Sequence, residues 1–267
     1  MLLTSVVLIL QETLEAALLV SMLAALALQL ELRLRWLVAG LASGLLVAST
    51  YAANLQRVSE SFDYMGQELL NAGLQGLVAL LVVALAWSVS SSCRKGKGAG
   101  AGAERVFAVC AGAAVALSIG REGSEILIYL DGFLAQETRA QAVLLGASIG
   151  LGIGISAGLL MFYGLWSLAQ RRAVLLTLGL LALFAGNMLS QASVELAQAD
   201  LLPGAGTVWD SGTWLPEQSI AGHLLYALVG YEATPSAAQL LAYAAGVIAV
   251  LVAAWLGRRG ASVDASG

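Results

Sequence analysis

The chain has 267 residues, of which 59% are hydrophobic and only 11% charged, with 13 basic and 17 acidic side chains giving a net charge of -4. A soluble domain carries roughly 25% charged residues, so these charges are too few to coat a water-exposed surface, and the negative balance without a long basic tract excludes nucleic acid as the partner. The apolar residues fall in runs of about 20, the length that crosses a hydrocarbon core about 30 Å thick, which predicts an all-α polytopic membrane protein.

Polar breaks delimit seven predicted transmembrane helices at 4–28, 34–53, 69–91, 106–130, 142–169, 173–197 and 236–256. Unpaired backbone groups in lipid leave helices or closed barrels as the spanning choices, and the runs are too long for strands. The first span follows Met1 without a basic stretch and contains Glu12 and Glu15, so a cleaved signal peptide is not expected. Acidic residues Glu60, Asp63 and Glu68 lie between the second and third spans. Beyond the third come Cys93, Arg94, Lys95 and Lys97, then a GAGAG segment that reads as a flexible linker. The fourth span holds Cys110, Arg121, Glu122 and Glu125; the two cysteines lack CxxC spacing and suggest neither a thiolate metal site nor a disulfide. Gly146, Gly150, Gly152, Gly154 and Gly158 run through the fifth, a pattern for close helix packing or for a broken helix beside an ion path. Glu195 ends the sixth, and an amphipathic stretch at 216–231 predicts a short interfacial helix before the last.

Short cytoplasmic loops carry the excess of Lys and Arg. Arg33, Arg35, Arg94, Lys95, Lys97, Arg105, Arg171, Arg172, Arg258 and Arg259 follow spans one, three, five and seven, whereas Arg57 and Arg139 lie on the other side. This alternation places the N-terminus outside and the C-terminus in the cytoplasm. Glu60, Asp63, Asp131, Glu137, Asp200, Asp210 and Glu217 then face outward, with Glu68 and Glu195 near the outer helix ends, a distribution that fits an outer vestibule recruiting cations or simply solubilising charge. The domain reading is one transmembrane domain, 1–257, with repeat-like halves at about 1–92 and 104–199, the final span at 236–256, and a cytoplasmic tail at 258–267.

Acid at membrane depth points to function. An ionised side chain there costs several kcal/mol unless it meets a partner or a water-filled cavity, yet Glu12 and Glu15 share the first span and Glu122 and Glu125 the fourth. The i to i+3 offset puts each pair on one helix face, so two facing helices would gather four carboxylates, with Arg121 tempering their repulsion. Such an oxygen-rich site suits a hard cation, ferric iron included, while the single His223, near the outer surface, and five scattered methionines do not suggest zinc or copper. The alternatives are protonated helix-to-helix hydrogen bonds or a proton relay. QETLEAALLV and REGSEILIYL each head a three-helix unit, and three is odd, so the second unit would be an inverted repeat of the first, leaving a seventh helix over.

With Arg121-Glu122-Gly123-Ser124-Glu125 complete and Gln11-Glu12-x-x-Glu15 lacking the usual arginine, the chain resembles the oxidase-dependent iron permease family of fungi and bacteria. Similarity continues around Glu68, at Trp209 to Gly212, and from Gly222 to Tyr231 with Pro235, so it covers nearly the whole chain. The resemblance implies seven transmembrane helices and high-affinity uptake of iron, ferric by preference, across the cytoplasmic membrane. It makes Glu12, Glu15, Glu122 and Glu125 the metal ligands; position in the sequence makes Gln11 and Arg121 their support, and charge near the outer helix ends makes Glu60, Asp63, Glu68 and Glu195 the outer vestibule. Iron is then the transported substrate and not a resident cofactor, and the protein is not an enzyme. The implied partners are a multicopper ferroxidase, or periplasmic cupredoxin-like and haem-peroxidase-like proteins. Gln11 makes its half-site more negative than an arginine would. Rival readings are transport of manganese or lead, a proton-coupled organic cation carrier, and a membrane subunit that anchors or senses; an intramembrane enzyme is disfavoured because the acids lack a nucleophile–base arrangement.

Overall fold

The computed structural model describes residues 2–92, 101–134, 137–203, 206–216 and 218–260. Among them the chain forms α1 (Leu2–Gln29), α2 (Arg35–Ala53), α3 (Leu55–Ser59), α4 (Gly66–Ser92), α5 (Ala101–Leu134), α6 (Glu137–Trp166), α7 (Gln170–Gln198), α8 (Ile220–Val229) and α9 (Ala237–Gly260). All except α3 and α8 are long and apolar enough to cross a bilayer, so the protein is all-α and spans the membrane seven times. Cys93, Arg94, Lys95, Lys97, the first part of the GAGAG segment, Glu217, the tail from 261 onward, and the side chains of Glu137 and Arg139 lie outside the described residues.

Each predicted span has its helix, and the ends differ for physical reasons. Hydropathy reports the lipid-buried length, whereas backbone hydrogen bonding continues into polar ends; α5 therefore takes in Glu104, Arg105 and Asp131 beyond the predicted 106–130. Helix α6 ends at Trp166 because Ser167 to Ala169 turn the chain, with Ser167 N–H still donating to the Tyr163 carbonyl at 2.9 Å. The opposite face of this turn is pinned by Gln29, whose side chain donates to the Trp166 and Leu168 carbonyls at 3.1 and 3.2 Å. The stretch at 216–231 does hold a helix. Ser219 Oγ accepts from the Gly222 amide at its start, and Gly230, at φ 69°, ends it in a left-handed conformation that glycine adopts without steric cost. This helix packs on α1 and α7.

Helix pairing follows the small residues. In lipid, helices gain little from hydrophobicity and associate where backbones can approach. Helix α6 lies along α1: a Cβ on Gly146 would sit 2.6 Å from the Leu2 carbonyl oxygen, one on Gly150 2.6 Å from that of Val6, and one on Gly154 2.7 Å from Thr13 Cβ. Helix α2 lies along α5 in the same manner, with Gly40 meeting the Gly112 oxygen at 2.9 Å, Gly44 the Ala116 oxygen at 3.0 Å, and Gly123 meeting Ala48 Cβ at 3.1 Å. Helices α4, α7 and α9 form the third group. The fifth-span glycines thus serve packing in an unbroken helix, except Gly152, which has nothing within 4 Å. Helices α1 and α7, which carry polar residues at mid-length, are largely enclosed, while Val38, Leu46, Leu160 and Leu241 point outward from α2, α6 and α9 as the lipid-facing surface.

Candidate metal centre

Helix α1 brings Gln11, Glu12 and Glu15 to the interior, and α5 brings Arg121, Glu122 and Glu125 to meet them. One carboxylate oxygen from each of Glu12, Glu122 and Glu125 lies within 4.8 Å of the others, a spacing that one cation can bridge. Glu122 is 2% exposed, no amide, hydroxyl or guanidinium donor reaches its Oε2, and the Glu12 carboxyl stands close enough to share a proton or a cation with it. Those features together mark a place for a positive charge.

Arg121 supplies part of that charge from one side. Its Nη1 stands 2.8 Å from Glu122 Oε1 and 3.7 Å from Glu15 Oε2, and its Nη2 stands 3.4 Å from Glu125 Oε1. The planar fork with five donors allows one guanidinium to serve three acids. Glu15 is not part of the three-carboxylate cluster: besides Arg121, it accepts from Gln191 Nε2 on α7 at 3.2 and 3.4 Å. Two glutamates of one motif therefore have different surroundings, Glu12 turned to the other carboxylates and Glu15, 2% exposed, held by an amide and a cation.

A cavity of about 530 Å³ borders this centre at Gln11 and Arg121, while Glu12, Glu15, Glu122 and Glu125 lie behind its wall and do not line it. Its remaining lining comes from α7, α8, the start of α9 and the segments flanking α8, and includes Asn187, Ser190, Glu195, His223, Glu232 and Gln239, together with the exposed Gln218. Of the four acids assigned to an outer vestibule, Glu195 is in this wall. Glu60 and Asp63 are exposed on the turn between α3 and α4, where Glu60 accepts from Gln56 at 2.9 Å, and neither lines the cavity. Glu68 sits in the first turn of α4 with a buried, unpartnered Oε2. Nearby, Asn71 accepts from the Tyr51 hydroxyl at 3.2 Å and donates to Glu195 at 3.5 Å.

Sequence reasoning missed the amides. Gln75 Nε2 on α4 donates to Gln191 Oε1 at 2.9 Å, so α4, α7 and α1 are joined through Gln75, Gln191 and Glu15 in one buried chain. The available signal was a second echo, Asn71-x-x-x-Gln75 against Asn187-x-x-x-Gln191.

No curated protein and no solved structure matches the chain. A family does: residues 2–262 match the Iron permease FTR1 family, nearly the entire length. With seven membrane-spanning helices and a glutamate cluster between two of them, the chain belongs to that family, and it is an iron permease, a multi-pass membrane transporter that takes up iron through a glutamate-lined site.

Proposed function

We propose that Glu12, Glu122 and Glu125 are the ligands through which iron crosses the membrane, and that Glu15 and Arg121 hold them at working distance. The carrying observation is the three carboxylate oxygens within 4.8 Å, with Glu122 buried. Iron enters by the cavity that Glu195 and Glu232 line, loses water as carboxylates replace it, and leaves once the two glutamate helices separate. Oxygen ligands and dense negative charge favour ferric iron. Capture at low concentration is the reading for high affinity, and a ferroxidase, or cupredoxin-like and haem-peroxidase-like proteins, would deliver the metal.

The single domain over 1–257 is built from two inverted three-helix units, halves about 1–92 and 104–199, with the last span added. Packing supports this. Leu2 and Val6 are 110 positions before Gly112 and Ala116, and their carbonyls receive Gly146 and Gly150 as those of Gly112 and Ala116 receive Gly40 and Gly44. The same 110 positions separate Glu12 from Glu122, which meet at the cluster. The cation asymmetry of the loops supports an N-terminus outside, a 258–267 tail in the cytoplasm, and a cavity mouth, on the connection between α7 and α9, that opens outward in the cytoplasmic membrane.

Purified protein in liposomes tests the assignment, with uptake of ferric and ferrous iron, manganese and lead followed for single Glu→Gln changes. Glu12→Gln, Glu122→Gln and Glu125→Gln should abolish iron uptake, and Glu15→Gln should reduce it roughly 10- to 100-fold, as outer-shell changes do. Unaltered uptake in both Glu122→Gln and Glu125→Gln would remove the ligand assignment; preference for manganese or lead over iron would remove the ferric one.

A further inference from the structure

The Gln75–Gln191 contact joins two residues that occupy matching places in the two units. Both stand four residues after an asparagine on the third helix of their unit, on α4 and α7, and both are buried, at 1% and 8% exposure. Like Glu12 and Glu122, they are matched residues that meet each other, as residues at a two-fold axis do.

Their hydrogen bonding is not symmetric. A carboxylate only accepts, so Glu15 forces the Gln191 nitrogen toward itself and turns the Gln191 oxygen to Gln75. That oxygen in turn draws the Gln75 nitrogen, which leaves Gln75 Oε1 buried and without a partner. The chain thus runs Gln75 to Gln191 to Glu15. Exchanging the matched residues defines a mirror arrangement that is not the one seen here: Gln191 donating to Gln75 Oε1, and Gln75 donating to Glu125, the counterpart of Glu15.

We propose that Gln75 and Gln191 are positioning residues for transport and form a reversible amide relay, which holds Glu15 in the conformation described here and Glu125 in the opposite-facing one. Reversal needs rotation of two side-chain amides and no net loss of hydrogen bonds, so each conformation has one motif glutamate held by the relay and the other free of it. The welded pairs α1–α6 and α2–α5 move as units against α4 and α7, and the unpartnered Gln75 oxygen is the acceptor kept for the second conformation. This inference rests on the inverted-repeat reading above, and not on which metal is carried.

Removing the amides one at a time gives opposite results. Without Gln191, the present conformation loses both relay bonds and the opposite one keeps Gln75 to Glu125; without Gln75, the present conformation keeps Gln191 to Glu15 and the opposite one loses both. The experiment places a single cysteine at cavity-lining Ser190, with Cys93 and Cys110 replaced, and measures labelling by a membrane-impermeant maleimide in metal-free proteoliposomes. Gln75→Met should raise the ratio of labelling-competent to closed protein, and Gln191→Met should lower it. Each shift should be about tenfold, the ratio that one hydrogen bond of about 1.4 kcal/mol supports, and the double variant should return toward the parent. Shifts of one sign in both variants, or no shift, would overturn the relay. If either Met variant is not monodisperse, Gln75→Asn and Gln191→Asn decide the matter by the same opposite signs. Because no metal is present, failure of the iron-ligand assignment leaves this result untouched, and failure here leaves the uptake assay untouched.

Discussion

Arg121 Nη1 stands 2.8 Å from Glu122 Oε1, its neighbour in sequence, and 3.7 Å from Glu15 Oε2 on another helix, so one buried cation ties the two motif helices together. Removing one partner of a buried ionic group costs about 3–5 kcal/mol, because the charges left behind lose compensation. Arg121→Met should therefore lower the melting temperature of the detergent-purified protein by roughly 10 °C. Arg121→Lys should fall between, since an ammonium keeps the charge but lacks the fork that reaches three carboxylates. An unchanged melting temperature in Arg121→Met would show that the acids do not depend on this cation.

Gln11 is the departure from the Arg-Glu-x-x-Glu pattern, and it lines the cavity beside Arg121. Gln11→Arg restores the motif and puts a second positive charge in the wall that an incoming cation must pass. At an effective dielectric near 20, such a charge roughly 8–16 Å away opposes each positive charge on the metal by about 1–2 kcal/mol. Metal affinity, measured by equilibrium competition on the purified protein, should weaken by at least about tenfold, and more for ferric than for ferrous iron. Folding should persist because the cavity of about 530 Å³ has space for the longer side chain. Tighter binding in Gln11→Arg would overturn the electrostatic account of this position.

The membrane class, the span count and the two carboxylate pairs were legible because charge is rare here and each buried acid stands out against an apolar background. The i to i+3 offset correctly put each pair on one face, but spacing cannot tell which member finds a third helix. Glu15 lies apart from the three-carboxylate cluster because Gln191, 176 positions away, reaches it. The amides were missed for a related reason: glutamine is a common residue, and only the three-dimensional meeting of Gln75 with Gln191 gives their matched positions meaning. The vestibule was read from loop charge alone. Glu60 and Glu195 look equivalent in that light, yet α7 carries Glu195 into the cavity wall while the α3–α4 turn holds Glu60 at the surface.

Adjacent glycines on α6 separate packing from flexibility. A Cβ at Gly150 would lie 2.6 Å from the Val6 oxygen and 2.9 Å from the Leu10 nitrogen, both backbone atoms, whereas Gly152 has nothing within 4 Å. Gly150→Ala should force α6 away from the glutamate-bearing α1, at an overpacking cost of about 1–3 kcal/mol, and reduce both thermal stability and uptake. Gly152→Ala should be neutral or add up to about 1 kcal/mol through helix propensity. Equal melting temperatures for the two variants would mean that the α1–α6 contact does not carry the pair.

Capture should depend on the acids of the cavity more than on those of the outer turn. Glu195 and Glu232 line the cavity that meets the motif helices at Gln11 and Arg121, and Glu60 and Asp63 do not. A low-dielectric wall focuses the field of the charges within it, so Glu195→Gln with Glu232→Gln should raise the half-saturating metal concentration several-fold at an ionic strength near 0.01 M, where the screening length is about 30 Å. The effect should shrink near 0.15 M, where that length is about 8 Å. Glu60→Gln with Asp63→Asn should change the same quantity less than about twofold, because bulk water screens exposed charges from a site that they do not face. Initial uptake rates across both ionic strengths check the contrast. A larger effect from the outer-turn pair than from the cavity pair would relocate the vestibule to the α3–α4 turn, and a salt-independent effect of Glu195→Gln would assign that residue to structure or direct ligation instead of attraction at a distance.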